Sequence, residues 1–299
     1  MNLKQIEAFY WAATSANFLI ASERLHVSQS TLSKRIHELE ASLGRQLFNR
    51  SGHRSVLSDA GKLLLPLARR LLNLSDEVRS VMADSSDLRG YCRFGVGEST
   101  ALTWLPDLIT LAKTTCPNLI LEPSVDIGTE LERKVDNGML DFAVVAGLSS
   151  RTAIANQPIA EVPFRWAAAR ELVGDCTEIN DEVLRSLAVI TMPQGAGATR
   201  IFDAWLSTNN VEVSRRLTCN SMAAIVGLVV AGVGLAYLPK SLLTQLVQHK
   251  SVVMMNSNPP LPSLQYYMQW RRDDSRPVIG LLREMVLKTA NFSKHAVSW

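Results

Sequence analysis

A chain of 299 residues that is 47% hydrophobic and 20% charged is too apolar for a disordered tail and too mixed for a fibre, and its length suits two or three domains. The formal net charge is only +3, yet residues 1–72 hold ten Lys/Arg against five Asp/Glu, while the remaining 227 hold 21 against 23. The basic surplus therefore sits in the first quarter, as expected of a nucleic-acid-binding end joined to something else.

In chain order, Leu3, Ile6, Phe9, Tyr10 and Ala13 recur at spacings of three and four and predict an amphipathic helix. A short second helix carries Ile20, Ala21 and Leu25. His26-Val27 is the only connection available before Ser28, whose hydroxyl suits an N-cap. A third helix places Leu32, Ile36, Leu39 and Leu43 on one stripe, leaving Gln29, Ser30, Ser33, Lys34 and His37 facing solvent near its start. Two helices joined by a tight turn, the second presenting polar side chains from its first half, is the geometry that reads a DNA major groove. Residues 47–57 then read as two apolar arms around a Ser-Gly-His-Arg turn, a wing whose Arg50 and Arg54 would meet phosphate or the minor groove.

The segment from Leu3 to Gly61 resembles the N-terminal domain of LysR-type transcriptional regulators. The resemblance rests on Phe9, the run Ala21-Ser22-Glu23-Arg24-Leu25-His26-Val27-Ser28-Gln29-Ser30, Leu32-Ser33, Ile36, Leu39-Glu40, Leu43-Gly44, Leu47-Phe48, Arg50 and Leu57-Ser58-Asp59-Ala60-Gly61. Departures are Ser30 where proline is frequent, Lys34 and His37 where arginine is common, and Leu19-Ile20 in place of small residues. Lys34 offers a point charge instead of a bidentate fork, which favours a phosphate over a base at that position. The resemblance implies a winged helix-turn-helix at 1–58, a dimerising linker helix at 59–87 and an effector-binding domain at 88–299, an α/β chain overall. The expected DNA-contacting set is Gln29, Ser30, Ser33, Lys34, Arg35, His37, Arg50 and Arg54. The expected partners are double-stranded DNA with an interrupted palindromic operator, a second copy of the chain as homodimer and on to homotetramer, RNA polymerase, and a small organic effector.

After Ser58, a predicted N-cap, Leu64, Leu67, Leu71, Leu74, Val78 and Val81 repeat at 3, 4, 3, 4, 3 and form a coiled-coil seam. Pro66 lies early enough to bend that helix without ending it. From Tyr91 onward short apolar runs alternate with helical segments: strands near 92–96, 119–125 and 142–146 with helices near 104–115 and 131–137. A second set follows, with strands near 164–169, 188–192, 217–219 and 233–238 and helices near 199–207, 222–231 and 241–247. This βαβ texture predicts a mainly parallel sheet with ligands at strand C-termini. The family's effector domain implies two lobes resembling a periplasmic solute-binding protein: lobe 1 at 88–162 and 264–299, lobe 2 at 163–263, the chain crossing at Glu161–Pro163 and returning near Leu264.

Several strand-to-helix junctions carry hydroxyls and glycines, a good setting for anions. The resemblance places the effector between the lobes at Ser99, Thr100, Thr129, Gly147 and Thr199, with Gln194 and Arg200 beside them, so the expected ligand is a small carboxylate or aromatic acid. Two competing readings fit the residues less well. Gly95-Val-Gly97-Glu-Ser-Thr100 imitates a dinucleotide loop, but Thr stands where Gly or Ala is wanted; with the five histidines unsuited to a metal or a catalytic pair, neither cofactor, metal nor catalytic residue is expected and the chain reads as no enzyme. A ligand sensor with a protein-binding N-terminus leaves the basic helix-turn-helix unexplained. Met222 to Pro239 is 18 residues without a charge, but its Gly-Val-Gly break divides it into a buried helix and strand. With no Cys-x-x-Cys pair among Cys92, Cys116, Cys176 and Cys219 and no apolar core at the start, the chain reads as cytoplasmic, without secretion or membrane attachment.

Overall fold

A computed structural model describes residues 1–15, 17–49, 56–80, 88, 90–248 and 251–294. In chain order the elements are α1 (Leu3–Thr14), α2 (Phe18–Arg24), α3 (Gln29–Leu43), β1 (Phe48–Asn49), β2 (Val56–Leu57), α4 (Asp59–Ser80), β3 (Gly90–Val96), α5 (Glu98–Ala101), α6 (Leu105–Thr115), β4 (Leu119–Val125), α7 (Gly128–Asp136), β5 (Phe142–Ala146), β6 (Ile154–Val162) and β7 (Phe164–Ala169). There follow α8 (Arg170–Val173), β8 (Glu178–Ile179), α9 (Asp181–Ser186), β9 (Val189–Thr191), α10 (Gly197–Asn209), β10 (Arg216–Thr218), α11 (Met222–Val230), β11 (Leu235–Pro239), α12 (Lys240–Gln248), β12 (Val252–Ser257), β13 (Leu264–Arg271) and α13 (Pro277–Thr289). Two compact units result, the first built on α1 to α4 and the second on the elements from β3 onward.

In the first unit the apolar stripes of α1 and α3 close on Ile6, Phe9, Leu32, Ile36 and Leu39, all buried. The edge of Phe48 meets Phe9 at 5.7 Å between ring centroids and Phe18 at 5.4 Å, so the antiparallel β1–β2 pair is anchored to the helices by aromatic contacts. Buried Glu40 reaches from α3 to accept the Leu47 amide at 2.7 Å and the Phe48 amide at 3.4 Å. Glu40→Ala strips both amides of their acceptor. Hydrogen exchange at Leu47 and Phe48 should then speed up by roughly a hundredfold, equivalent to about 3 kcal/mol, with Glu40→Gln retaining most protection. Unchanged exchange in the alanine variant would show that water replaces the carboxylate at no cost.

Ser58 opens α4 as expected: its hydroxyl accepts from the Gly61 amide at 3.1 Å and donates to the Gln46 carbonyl at 2.6 Å. Gly61 sits so close to the preceding arm that a β-carbon there would lie 2.2 Å from the Leu47 oxygen and 2.8 Å from Leu57 Cδ2. Pro66 lies inside the helix without ending it. Four of the seam positions are exposed, Leu67 at 51%, Leu71 at 41%, Leu74 at 55% and Val78 at 62%, so within one chain the stripe is left uncovered; Leu64 is half-buried. Val81 and the segment 84–87 lie outside the described residues, as do Arg50 and Arg54.

The second unit holds two sheets. One runs β4-β3-β5-β13-β6 and the other β10-β9-β11-β7-β12-β8. Both are mixed, which corrects the expectation of a mainly parallel arrangement. β3 pairs parallel with β4 and β5, but β13 pairs antiparallel with β5 and β6; in the second sheet β7 runs antiparallel to both β11 and β12. The reason is the double crossing: a chain that leaves the first sheet at Val162 and returns at Leu264 pairs those two strands head to tail, Val162 opposite Leu264. Within the first lobe Phe94 stacks on Phe142 at 4.8 Å, and α13 brings Ile279, Leu282 and Val286 into the same core, so the last helix completes that lobe. The second lobe is centred on Trp166, Phe202, Trp205 and Leu235. The uncharged stretch 222–239 is α11 followed by β11, divided at Gly232, whose φ is +71°. No described helix is long and apolar enough to cross a membrane.

Candidate DNA-reading surface and effector cleft

The helix-turn-helix is made by a tight, left-handed step. His26 takes φ +51°, and the Val27 amide then bonds to the Ser22 carbonyl at 3.1 Å. Ser28 caps α3, its hydroxyl accepting from the Thr31 amide at 3.2 Å and meeting the Ser30 and Thr31 hydroxyls at 2.8 Å. Ser30 is thus drawn into the cap network. Gln29, Ser30, Ser33, Lys34 and His37 are all exposed on the first turns of α3, one continuous polar face opposite the buried Leu32, Ile36 and Leu39; Arg35 stands apart, half-buried on the flank. Leu19 and Ile20, the departures on α2, are exposed as well.

In the second unit the expected effector residues come from both lobes: Ser99 lines the space between them, Thr199 lines a separate cavity of the second lobe, and Thr129 and Gly147 each meet the other lobe, at Gly195 and Arg200. Ser99 is buried, its hydroxyl donating to Met222 Sδ at 3.5 Å, and it shares the lining of the interlobe space with Tyr266, whose phenol is pushed up to about 12 by burial. Thr100 is wholly buried and its Oγ1 has no partner among the described residues. The Thr129 amide, on the opening turn of α7, meets the Gly195 carbonyl of the other lobe at 3.4 Å. A β-carbon on Gly195, where φ is +100°, would lie 2.3 Å from Thr129 Oγ1, so only glycine allows the lobes this approach. Gln194 is exposed beside it.

Two positions behave in ways the sequence did not disclose. Thr199 is buried and donates to the Met192 carbonyl at 2.8 Å, which makes it a local brace of α10. Arg200, one residue on, is exposed and reaches over the first lobe: a β-carbon on Gly147 would sit 3.3 Å from its Nη2. Gly147, at φ +99°, is held by its amide to the Gln265 carbonyl at 2.9 Å and by its own carbonyl, which accepts from Gln269 Nε2 at 3.2 Å. The first turn of α10 carries no side-chain cap, and its Gly197 and Ala198 line the space between the lobes.

Glu98, which the sequence did not mark as a site residue, makes three polar contacts from the first lobe to the second. Its carboxylate accepts from the Met222 amide at 2.5 Å, the Ala223 amide at 3.3 Å and the Ser221 hydroxyl at 3.1 Å, all at the opening turn of α11. The nearest sequence signal is that Ser221 is itself a good N-cap; the partner lies more than 120 residues away. Between the lobes a cavity of about 60 Å3 is lined by Glu98, Ser99, Asp126, Met192, Gly197 and Tyr266, among others. Asp126 is paired with Lys134 at 2.7 Å.

The comparisons with known proteins agree with this anatomy. Residues 3–62 match the model described as a bacterial regulatory helix-turn-helix protein of the lysR family, and residues 85–291 match the LysR substrate binding domain. Among curated relatives, a probable RuBisCO transcriptional regulator of Chlorokybus atmophyticus is 28% identical over 250 residues, covering 79% of this chain and 78% of its own. The HTH-type transcriptional regulator CzcR of Bacillus subtilis is 25% identical over 241 residues, covering 81% of each. Among solved structures, a full-length OxyR variant from Pseudomonas aeruginosa superposes with a TM-score of 0.76 at 20% identity, covering all of this chain and 99% of its own. CbnR complexed with its target DNA gives 0.63 at 22% identity, covering 97% and 100%. With both family models matched and the second alone spanning most of the chain, this protein belongs to the LysR family of DNA-binding transcriptional regulators.

Proposed function

We propose that this regulator reads an interrupted palindromic operator as a homodimer, through Gln29, Ser30, Ser33, Lys34 and His37 on the exposed face of α3, with Arg35 at its flank and Arg50 and Arg54 on the wing. The observation that carries the reading is that polar face, held out by the Ser28 cap and backed by the buried stripe of Leu32, Ile36 and Leu39. Lys34 contributes phosphate attraction, and Gln29 and Ser33 contribute base contact. The uncovered stripe of α4 pairs two chains, and the second units join dimers into a tetramer. A small organic acid, aliphatic or aromatic, binds between the lobes near Ser99, Thr100, Thr129, Gly147, Gln194, Thr199 and Arg200, with Arg200 supplying positive charge. It favours one lobe arrangement, which alters DNA bending and contact with RNA polymerase. The protein works in the cytoplasm by binding and not by turnover.

A mobility shift against fragments of the source genome, at two salt concentrations, tests the DNA reading. Selective binding that weakens as salt rises is expected. Gln29→Ala should cost roughly tenfold or more on the specific fragment while leaving the salt slope unchanged, whereas Lys34→Ala should lower that slope by about one. Equal losses on all fragments for both variants would show that neither side chain reads a base.

A further inference from the structure

We propose that Glu98 is a tethered stand-in for the effector: in the empty protein its carboxylate occupies the acid subsite at the N-terminus of α11, and a small aliphatic carboxylate displaces it on binding. The inference rests on reading the interlobe cleft as the effector site and goes on to name the subsite and the ligand.

Three observations meet here. The opening turn of a nine-residue helix presents the amides of Met222 and Ala223 and the hydroxyl of Ser221, and a carboxylate delivered from the opposite lobe accepts from all three. Such a terminus favours negative charge through its free amides and dipole, and charged acceptors make its strongest hydrogen bonds. Independently, a cavity of about 20 Å3 runs from the same helix into the second lobe, lined by Met222, Ile225, Trp166, Phe202 and Thr191. Two polar atoms of that lining have no partner among the described residues: Thr191 Oγ1, on a residue 8% exposed, and Trp166 Nε1, on one 1% exposed. Buried hydroxyl and indole groups are normally paired, so a cavity with two unmet ones is built for something that carries a hydrogen-bonding atom. Met192 and Met222 line both this cavity and the cleft, so unbranched, adaptable side chains separate the two spaces.

The space at hand favours a small ligand: the cleft offers about 60 Å3 and the cavity beyond it about 20 Å3, against about 150 Å3 for an enclosed cavity that takes benzene. The effector is thus a short aliphatic acid whose carboxylate takes the place of the Glu98 carboxylate and whose body carries a hydroxyl or carbonyl toward Thr191. Because Glu98 is attached to α5 of the first lobe, its displacement exchanges a covalently tethered bridge between the lobes for a free one. Ligand binding is thereby converted into lobe rearrangement.

The test uses the full-length protein with acetate as the probe and chloride at matched ionic strength as the control. Glu98→Ala empties the subsite, so acetate should raise the melting temperature of that variant by about 2–4 °C over chloride while leaving the wild type within error. Glu98→Gln keeps the shape and loses the charge, and guards against a variant that does not fold; it should bind acetate at least tenfold more tightly than wild type. Thr191→Val should leave the acetate effect on the Glu98→Ala background in place but weaken the response to lactate, which adds a hydroxyl to the chain. Acetate and chloride acting alike on both Glu98 variants would overturn the proposal, as would equal acetate affinity in wild type and Glu98→Gln. Operator binding measured on the same samples separates the two readings: it survives a failure at Glu98, and its absence in the wild type would remove the regulator model without bearing on this subsite.

Discussion

Gly61→Ala is expected to cost the N-terminal unit about 3 kcal/mol and, with it, most operator binding. The added methyl group meets a backbone oxygen, that of Leu47, well inside van der Waals contact, and a second atom on Leu57. Flexible side chains yield to such intrusions, but a carbonyl fixed by the arm of the wing cannot. The Leu47 oxygen also accepts from the Ser58 amide at 2.9 Å, so moving it loosens the start of α4 together with the wing. Thermal melting should show the first unit losing stability while the second is unchanged, and the mobility shift should fall in parallel. A variant that melts and binds DNA as the wild type does would mean that α4 slides along the arm at little cost.

A comparable loss should come from the linker helix. Leu71→Glu combined with Leu74→Glu puts two charges on a stripe that one chain leaves in water, so the fold of the single chain has little at stake. A dimer that buries the stripe cannot accept them. Light scattering should therefore report a monomer, or at most the pairing that the second unit supplies alone. Operator affinity should drop by at least about 100-fold, since each half-site is then bound without the effective concentration the partner provides. A dimer that persists with full affinity would place the pairing surface elsewhere.

The parts of the fold written in local periodicity were legible from the residues. The stripe in α3, the Ser28 and Ser58 caps and the split of the uncharged 222–239 stretch all depend on neighbours within a few positions. β6 was not legible: its nine residues include Pro158 and show no clean alternation of burial, and it is held in place by pairing with β13, about 100 residues away. The mixed order of the sheets escaped for the same reason, because the strands that reverse direction are those that meet after the chain has built an entire second lobe. At the cleft, hydroxyl-bearing junctions did not disclose the use of each side chain. Thr199 spends its hydroxyl on the Met192 carbonyl, and Glu98 serves a helix that begins more than 120 residues later.

The two crossings between the lobes lie side by side, Val162 running into β7 and Leu264 arriving from β12, with the pair in antiparallel register. A ribbon of two paired strands bends readily about one axis and resists shear and rotation about the others. On this hinge the lobes have a single soft coordinate, and under the proposed function a compound bound between them would be reported as a displacement along it. In the language of signalling this is a channel of very low capacity: it conveys how far the cleft has moved, not which molecule moved it. Discrimination among metabolites must be completed at the walls before the motion begins, so a change of wall residues can redirect the regulator to a new compound without any change in the apparatus that carries the message.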